Sequence, residues 1–180
     1  MTVQQLSAGV DSTVCVLARY GNVPQVARFL PGDALVRRGV ELVVQTDRGT
    51  EIAVALESIR MESDQQLTGE VLRVASPEDL QLAETQRREA EESFGDWLRR
   101  IESWKLQLEL IDLEWTLDRK LILYVLNDRG AETTRLALLV AANGLGVVIV
   151  QPVTADGIVA SVGGGGGCGS GGCGSGGCSS

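Results

Sequence analysis

Val43-Val44-Gln45-Thr46-Asp47-Arg48-Gly49-Thr50-Glu51-Ile52-Ala53-Val54-Ala55 decides how the first half of the chain folds. Apolar and β-branched residues flank Asp47-Arg48-Gly49 on both sides. The reading is two antiparallel strands, 40–45 and 50–56, joined by a type I turn that a left-handed Gly49 closes. Outward from this hairpin, 13–19, 23–29 and 67–74 also read as strands, with Gly21-Asn22 and Pro31-Gly32-Asp33 as the breaks between them. Five short strands laid flat would leave two open edges, so they are expected to close into a small antiparallel barrel of the SH3-like or OB-like kind.

The period then changes. Ser76-Pro77-Glu78-Asp79 supplies an N-cap, a Pro at the first helical position and two acids where the helix dipole favours them. The predicted helix runs to about Trp104, with Leu80, Ala83, Ala90, Phe94, Trp97, Leu98 and Ile101 as its apolar stripe. Beyond it, 106–116 and 121–126 read as a hairpin turning across Asp118-Arg119, followed by a second Asp-Arg-Gly at 128–130, a helix over 133–143 and a buried strand over 147–150. The fold class is α+β: a small antiparallel β-barrel-like N-terminal part followed by α-β-β-α-β, with helices covering one face of an antiparallel sheet. Along the chain this gives an N-terminal extension (1–12), the barrel (13–75), a connecting amphipathic helix (76–104), an α+β part (105–162) and a Gly/Ser/Cys tail (163–180) expected to be disordered.

Composition excludes much chemistry. There is no His, which removes Ser-His-Asp and Cys-His catalysis, His-ligated zinc and the usual near-neutral general base. The net charge of −8 gives no overall attraction for a polyanion. Leu136–Ala155 is free of charge over a bilayer length, but Asn143, Gly144, Gly146 and Pro152 interrupt it, so a helix, a turn and a strand are expected instead of a membrane span. No basic residue precedes Arg19, so the N-terminus lacks the positive flank of a secretory or mitochondrial signal, and a cytoplasmic address is expected.

Several residues invite a functional reading. Arg19, Tyr20, Arg28 and Arg48 bring basic and aromatic side chains into the first strands, within the one region (1–48) where five Arg outnumber four acids. Such a set can stack on and grip single-stranded RNA, or meet a protein partner, although an ordinary polar strand face with one buried ring explains it more simply. Asp112, Glu114 and Asp118 alternate on one strand face, a placement that suits carboxylates working as acid and base, yet a solvated strand face shows the same alternation. Trp97, Trp104 and Trp115 read as core. Cys168, Cys173 and Cys178 form a C-x4-C-x4-C array suited to zinc or an iron-sulfur centre, one ligand short of a closed tetrahedral site; no cofactor is the primary expectation.

Three stretches together resemble the PSP1 C-terminal conserved region family, some of whose members act in bacterial RNA maturation. They are Arg19–Val23 with Val26–Phe29, the Thr46-Asp47-Arg48-Gly49 turn within Val43–Glu51, and the Leu110–Asp118 and Lys120–Tyr124 hairpin. The resemblance implies this fold and an adaptor character. Family members of that kind also end in a box with adjacent cysteines, associated with an iron-sulfur cluster shared with partner proteins; this chain has no Cys-Cys pair. The expected function is a non-enzymatic cytoplasmic adaptor or regulatory subunit of an RNA-processing assembly. It would act through protein partners, with direct RNA binding and a metal site in the tail as alternatives, and without a membrane.

Ordering a Gly/Ser coil offsets much of the binding energy of three thiolates. Protein purified alone under anaerobic, reducing conditions is therefore expected to hold less than about one tight metal per chain, measured by elemental analysis. A stoichiometric centre that survives dialysis against a chelator, and is lost when Cys168, Cys173 and Cys178 are all replaced by Ser, is the contrary result.

Overall fold

The structure, a computed structural model, describes residues 14–32, 36–61, 65–126, 130–154 and 157–159. Five strands form the first part: β1 (Val14–Tyr20), β2 (Gln25–Leu30), β3 (Glu41–Gln45), β4 (Thr50–Arg60) and β5 (Gly69–Val74). They close into a barrel in the order β1-β2-β5-β3-β4. Each strand turns alternate residues inward, and Val16, Ala18, Tyr20, Phe29, Leu42, Val44, Ala53, Ala55 and Val71 fill the interior. The Phe29 ring meets the Tyr20 ring edge to face, with centroids 5.5 Å apart.

All the barrel pairings are antiparallel as expected except the closing one, β2 with β5, which is parallel and short. Gly69 makes that closure. A Cβ there would sit 1.8 Å from the Gln45 carbonyl oxygen, so only glycine lets β5 pass so close to β3.

The helix α1 (Pro77–Ser103) begins as the sequence indicates. Ser76 accepts the Asp79 amide, and the Asp79 carboxylate accepts the Ser76 amide in return, a capping box. Asp79 also pairs with Arg73 of β5, which ties the barrel's last strand to the helix start. Ala90, Trp97 and Ile101 of the predicted stripe are buried, but Leu98 is 43% exposed. Gln86, absent from the stripe, is buried in its place and donates to the Thr116 carbonyl. The helix turns this polar residue inward because a backbone acceptor at the β6–β7 turn awaits it.

A second sheet follows, in the order β6 (Glu109–Trp115), β7 (Leu121–Leu126), β8 (Val148–Thr154) and β9 (Gly157–Ile158). β6 starts later than expected because the chain leaves α1 through Lys105 at φ 55° before Leu106 tucks into the core. The sheet is not wholly antiparallel. β7 and β8 run parallel, since α2 (Ala131–Ala142) carries the chain back across the sheet between them. The helices do cover one face, where Leu121, Leu123 and Val125 pack with Trp97, Ile101, Leu136 and Val140. The opposite face of β7 presents Ile122 and Tyr124, which are also fully buried, against Val23 of the barrel and Val153 of β8. The sheet thus lies between a helical layer and the barrel, and β7 carries the unbroken apolar run that a strand buried on both faces requires. Among the described residues no helix is long and apolar enough to cross a membrane.

Trp97 and Leu98 test this packing side by side. Trp97→Ala is expected to lower stability by about 3–5 kcal/mol through lost burial and a cavity, and Leu98→Ala by less than about 1 kcal/mol. Urea denaturation read by circular dichroism measures both, and equal midpoint shifts for the two would contradict the orientation of α1.

Candidate functional site

The barrel and the second sheet meet turn against turn. Thr46 closes the β3–β4 turn by accepting the amides of Arg48 (3.1 Å) and Gly49 (3.2 Å) on its hydroxyl. The β6–β7 turn, held by Thr116 and Lys120, docks on it. The Leu117 amide donates to the Thr50 carbonyl (2.8 Å), and the Thr50 amide donates to Asp118 Oδ1 (3.0 Å). Gly49 has a positive φ as expected, but at 149° it lies outside the left-handed helical region. A Cβ on residue 49 would in addition lie 2.5 Å from Asp118 Oδ1, so both the backbone angle and the space require glycine there.

Behind these turns Arg48 is drawn inside, at 4% exposure. Its Nη2 donates to Glu51 Oε2 (2.5 Å), its Nε to Glu51 Oε1 (3.2 Å) and its Nη1 to the Tyr124 hydroxyl (2.8 Å). The Tyr124 hydroxyl in turn donates to Glu114 Oε2 (2.5 Å), and the Tyr20 ring packs 5.0 Å from the guanidinium. Glu51 Oε1 also accepts from the Thr46 hydroxyl (2.5 Å). From the β1–β2 turn, the Asn22 amide donates to Glu114 Oε2 and its side-chain amide to the Leu113 carbonyl, each at 3.0 Å. Five polar side chains from two parts of the fold, Thr46, Arg48, Glu51, Glu114 and Tyr124, therefore form one connected, internally satisfied network.

The electrostatics follow from burial set against pairing. Burial disfavours the Arg48 charge, but Glu51, Tyr124 and Glu114 outweigh it and hold the guanidinium protonated, its pKa raised. Burial pushes Glu51 upward, with Arg48 and the Thr46 hydroxyl pulling back in part. Burial and the neighbouring Glu114 raise Tyr124 well above an ordinary phenol, so it acts here as a neutral donor. Burial alone would raise Asp118, yet hydrogen bonds from Lys120, Thr116 and the Thr50 amide bring it down to about 2.

Beside this network lies a groove of about 820 Å³, walled by the outer face of β1 and β4 on one side and by α1 on the other, with β6 as its floor. Six carboxylates line it (Glu41, Glu51, Glu84, Glu91, Asp112 and Glu114), against two guanidinium groups (Arg19 and Arg87).

Among the four residues singled out for RNA or partner contact, the structure brings Tyr20 and Arg48 together, but inside the molecule. Neither is a free surface group: Glu51 and Tyr124 take the guanidinium donors, and the Tyr20 ring packs in the barrel interior. Arg28 is half-buried on β2, and only Arg19 is exposed. The carboxylates Glu114 and Asp118 accept hydrogen bonds that join the two parts, a role their alternation did not reveal. Trp97 is buried and Trp104 and Trp115 pack against the same core, as read. Cys168, Cys173 and Cys178 lie outside the described residues. Within the described residues Cys15 is a buried free thiol in the barrel, and no group of three or more Cys, Asp or Glu could hold a metal ion.

Residues 69–130 match the family model of the PSP1 C-terminal conserved region. The match bears out the family resemblance over that segment. The matched segment begins at the barrel-closing Gly69, takes in α1 and the β6–β7 hairpin, and ends at the N-cap of α2. It contains Glu114, Asp118 and Tyr124, whereas their partners Thr46, Arg48, Thr50 and Glu51 come from the barrel that precedes it. No curated protein and no solved structure matches the chain.

Asp118 gives the junction a pH signature. The folded carboxyl titrates near 2, and an unfolded one near ~3.9. The unfolded chain therefore binds more protons in this range, and the stabilisation is complete above about pH 4 and is lost as the pH falls toward the folded value. Urea midpoints measured from pH 5 downward are expected to fall less steeply for Asp118→Asn than for the wild type. Parallel curves would remove Asp118 from the junction's energetics.

Proposed function

We propose that the protein is a non-enzymatic adaptor or regulatory subunit that works by binding protein partners, within an RNA-processing or RNA-maturation assembly of the cytoplasm. The observation that carries this reading is the fate of its polar groups. Thr46, Arg48, Glu51, Glu114 and Tyr124 satisfy one another across the junction, so none is left poised as a nucleophile or general base, and the open groove beside them remains as a surface for recognition. The RNA-processing setting rests on the family resemblance. Direct RNA binding is disfavoured because acids outnumber bases around the groove and repel phosphates.

Affinity capture of the tagged full chain after cross-linking in cells, with ribonuclease treatment before elution, tests the reading. A small set of proteins retained in near-stoichiometric amounts despite ribonuclease is the expected result. Retention abolished by ribonuclease, together with tight binding of single-stranded oligouridylate by the purified chain, would replace the adaptor reading with an RNA-binding one.

A further inference from the structure

The groove's lining says more about its occupant than that it is a protein. Its deeper surface is apolar and half-buried, from Ile52 and Val54 of β4, Leu80 of α1 and Trp115 and Leu117 near β6. Its rim is acidic. Among the described residues Glu41 and Glu84 make no side-chain hydrogen bond or ion pair. Arg87 is already paired with Glu91 at 3.3 Å, and Glu51 with Arg48, which among the described residues leaves Arg19 as the uncompensated cation on the rim. An apolar occupant with positive flanks would be complementary to this surface, and a polyanion would not.

The shape narrows the occupant further. The barrel is closed, and the outer edge of β6 is taken at Leu113 by the Asn22 side chain, which disfavours binding by strand addition in the groove. The α1 wall from Leu80 to Glu91 is roughly 16 Å long at ~1.5 Å per residue, the span of three helical turns. Resting on the adaptor reading, we propose that this groove receives a basic amphipathic helix of a partner protein, its apolar stripe against Ile52, Val54, Leu80 and Trp115 and its Lys or Arg residues against Glu41, Glu84 and Asp112.

A fluorescein-labelled peptide of repeated Lys-Leu-Leu-Lys, and its Glu-Leu-Leu-Glu counterpart, serve as probes against the full chain in polarisation titrations. The basic peptide is expected to bind and the acidic one not. Glu41→Lys with Glu84→Lys is expected to weaken binding by at least about tenfold, while Glu92→Lys with Glu102→Lys, an equal charge change outside the groove, alters it by less than about twofold. Ala83→Arg, which fills the groove from the helix, should weaken it as the rim pair does and covers the case in which that pair fails to fold. Equal losses from the rim and control pairs, or unchanged binding by Ala83→Arg, would overturn the proposal. Captured partners retained by a folded groove variant would overturn it too while leaving the adaptor reading intact. Groove-specific peptide binding by a chain that captures no partner would overturn the adaptor reading alone.

Discussion

A guanidinium removed from water must be met on every side, and Arg48 obtains its partners from both halves of the molecule: Glu51 from the barrel and the Tyr124 hydroxyl from β7. An unpaired charge in that position would cost several kcal/mol, so withdrawing either half carries a penalty that the other must offset. Tyr124 passes the constraint on to Glu114, and Glu114 to the backbone of Asn22, so the β1–β2 turn is fixed by the same network. Since a buried ion pair returns little net energy over apolar packing, the role assigned to this one is to set which surfaces dock and in what register.

Docking explains features that neither half requires alone. β7 is buried on both faces because the helices take one and the barrel takes the other. Position 49 requires glycine twice over, by a φ that other residues rarely reach and by Asp118, which occupies the space a side chain would need. The segment 69–130 that matches the family model holds one side of the junction and the strands before it hold the other, so that segment does not contain the whole structural unit.

The barrel strands, α1 with its Ser cap and the β6–β7 hairpin were legible because each rests on local signals: alternation, turn residues, a Ser-Pro start and a 3.6-residue stripe. Three features were not. The parallel pairing of β7 with β8 depends on how α2 crosses the sheet, which periodicity does not encode. Gln86 faces inward because of a carbonyl at Thr116, thirty residues away. Arg48 looked like a surface cation because its compensating groups at 114 and 124 are remote in sequence. The available hint was Glu51, an acid three residues after Arg48 on a strand whose neighbours Ala53 and Ala55 point inward. A turn arginine followed by an inward-facing acid is a candidate for burial.

The groove and the network are therefore two sides of one junction, the second holding the walls of the first in place. A double-mutant cycle between Arg48→Met and Tyr124→Phe, with stability measured by urea denaturation, tests that arrangement most directly, because each residue belongs to a different half. The account predicts a coupling energy of at least about 1 kcal/mol, since either substitution already breaks the contact that the other would remove. Strict additivity, within about 0.3–0.5 kcal/mol, would mean that the two halves do not depend on this contact and would contradict the account.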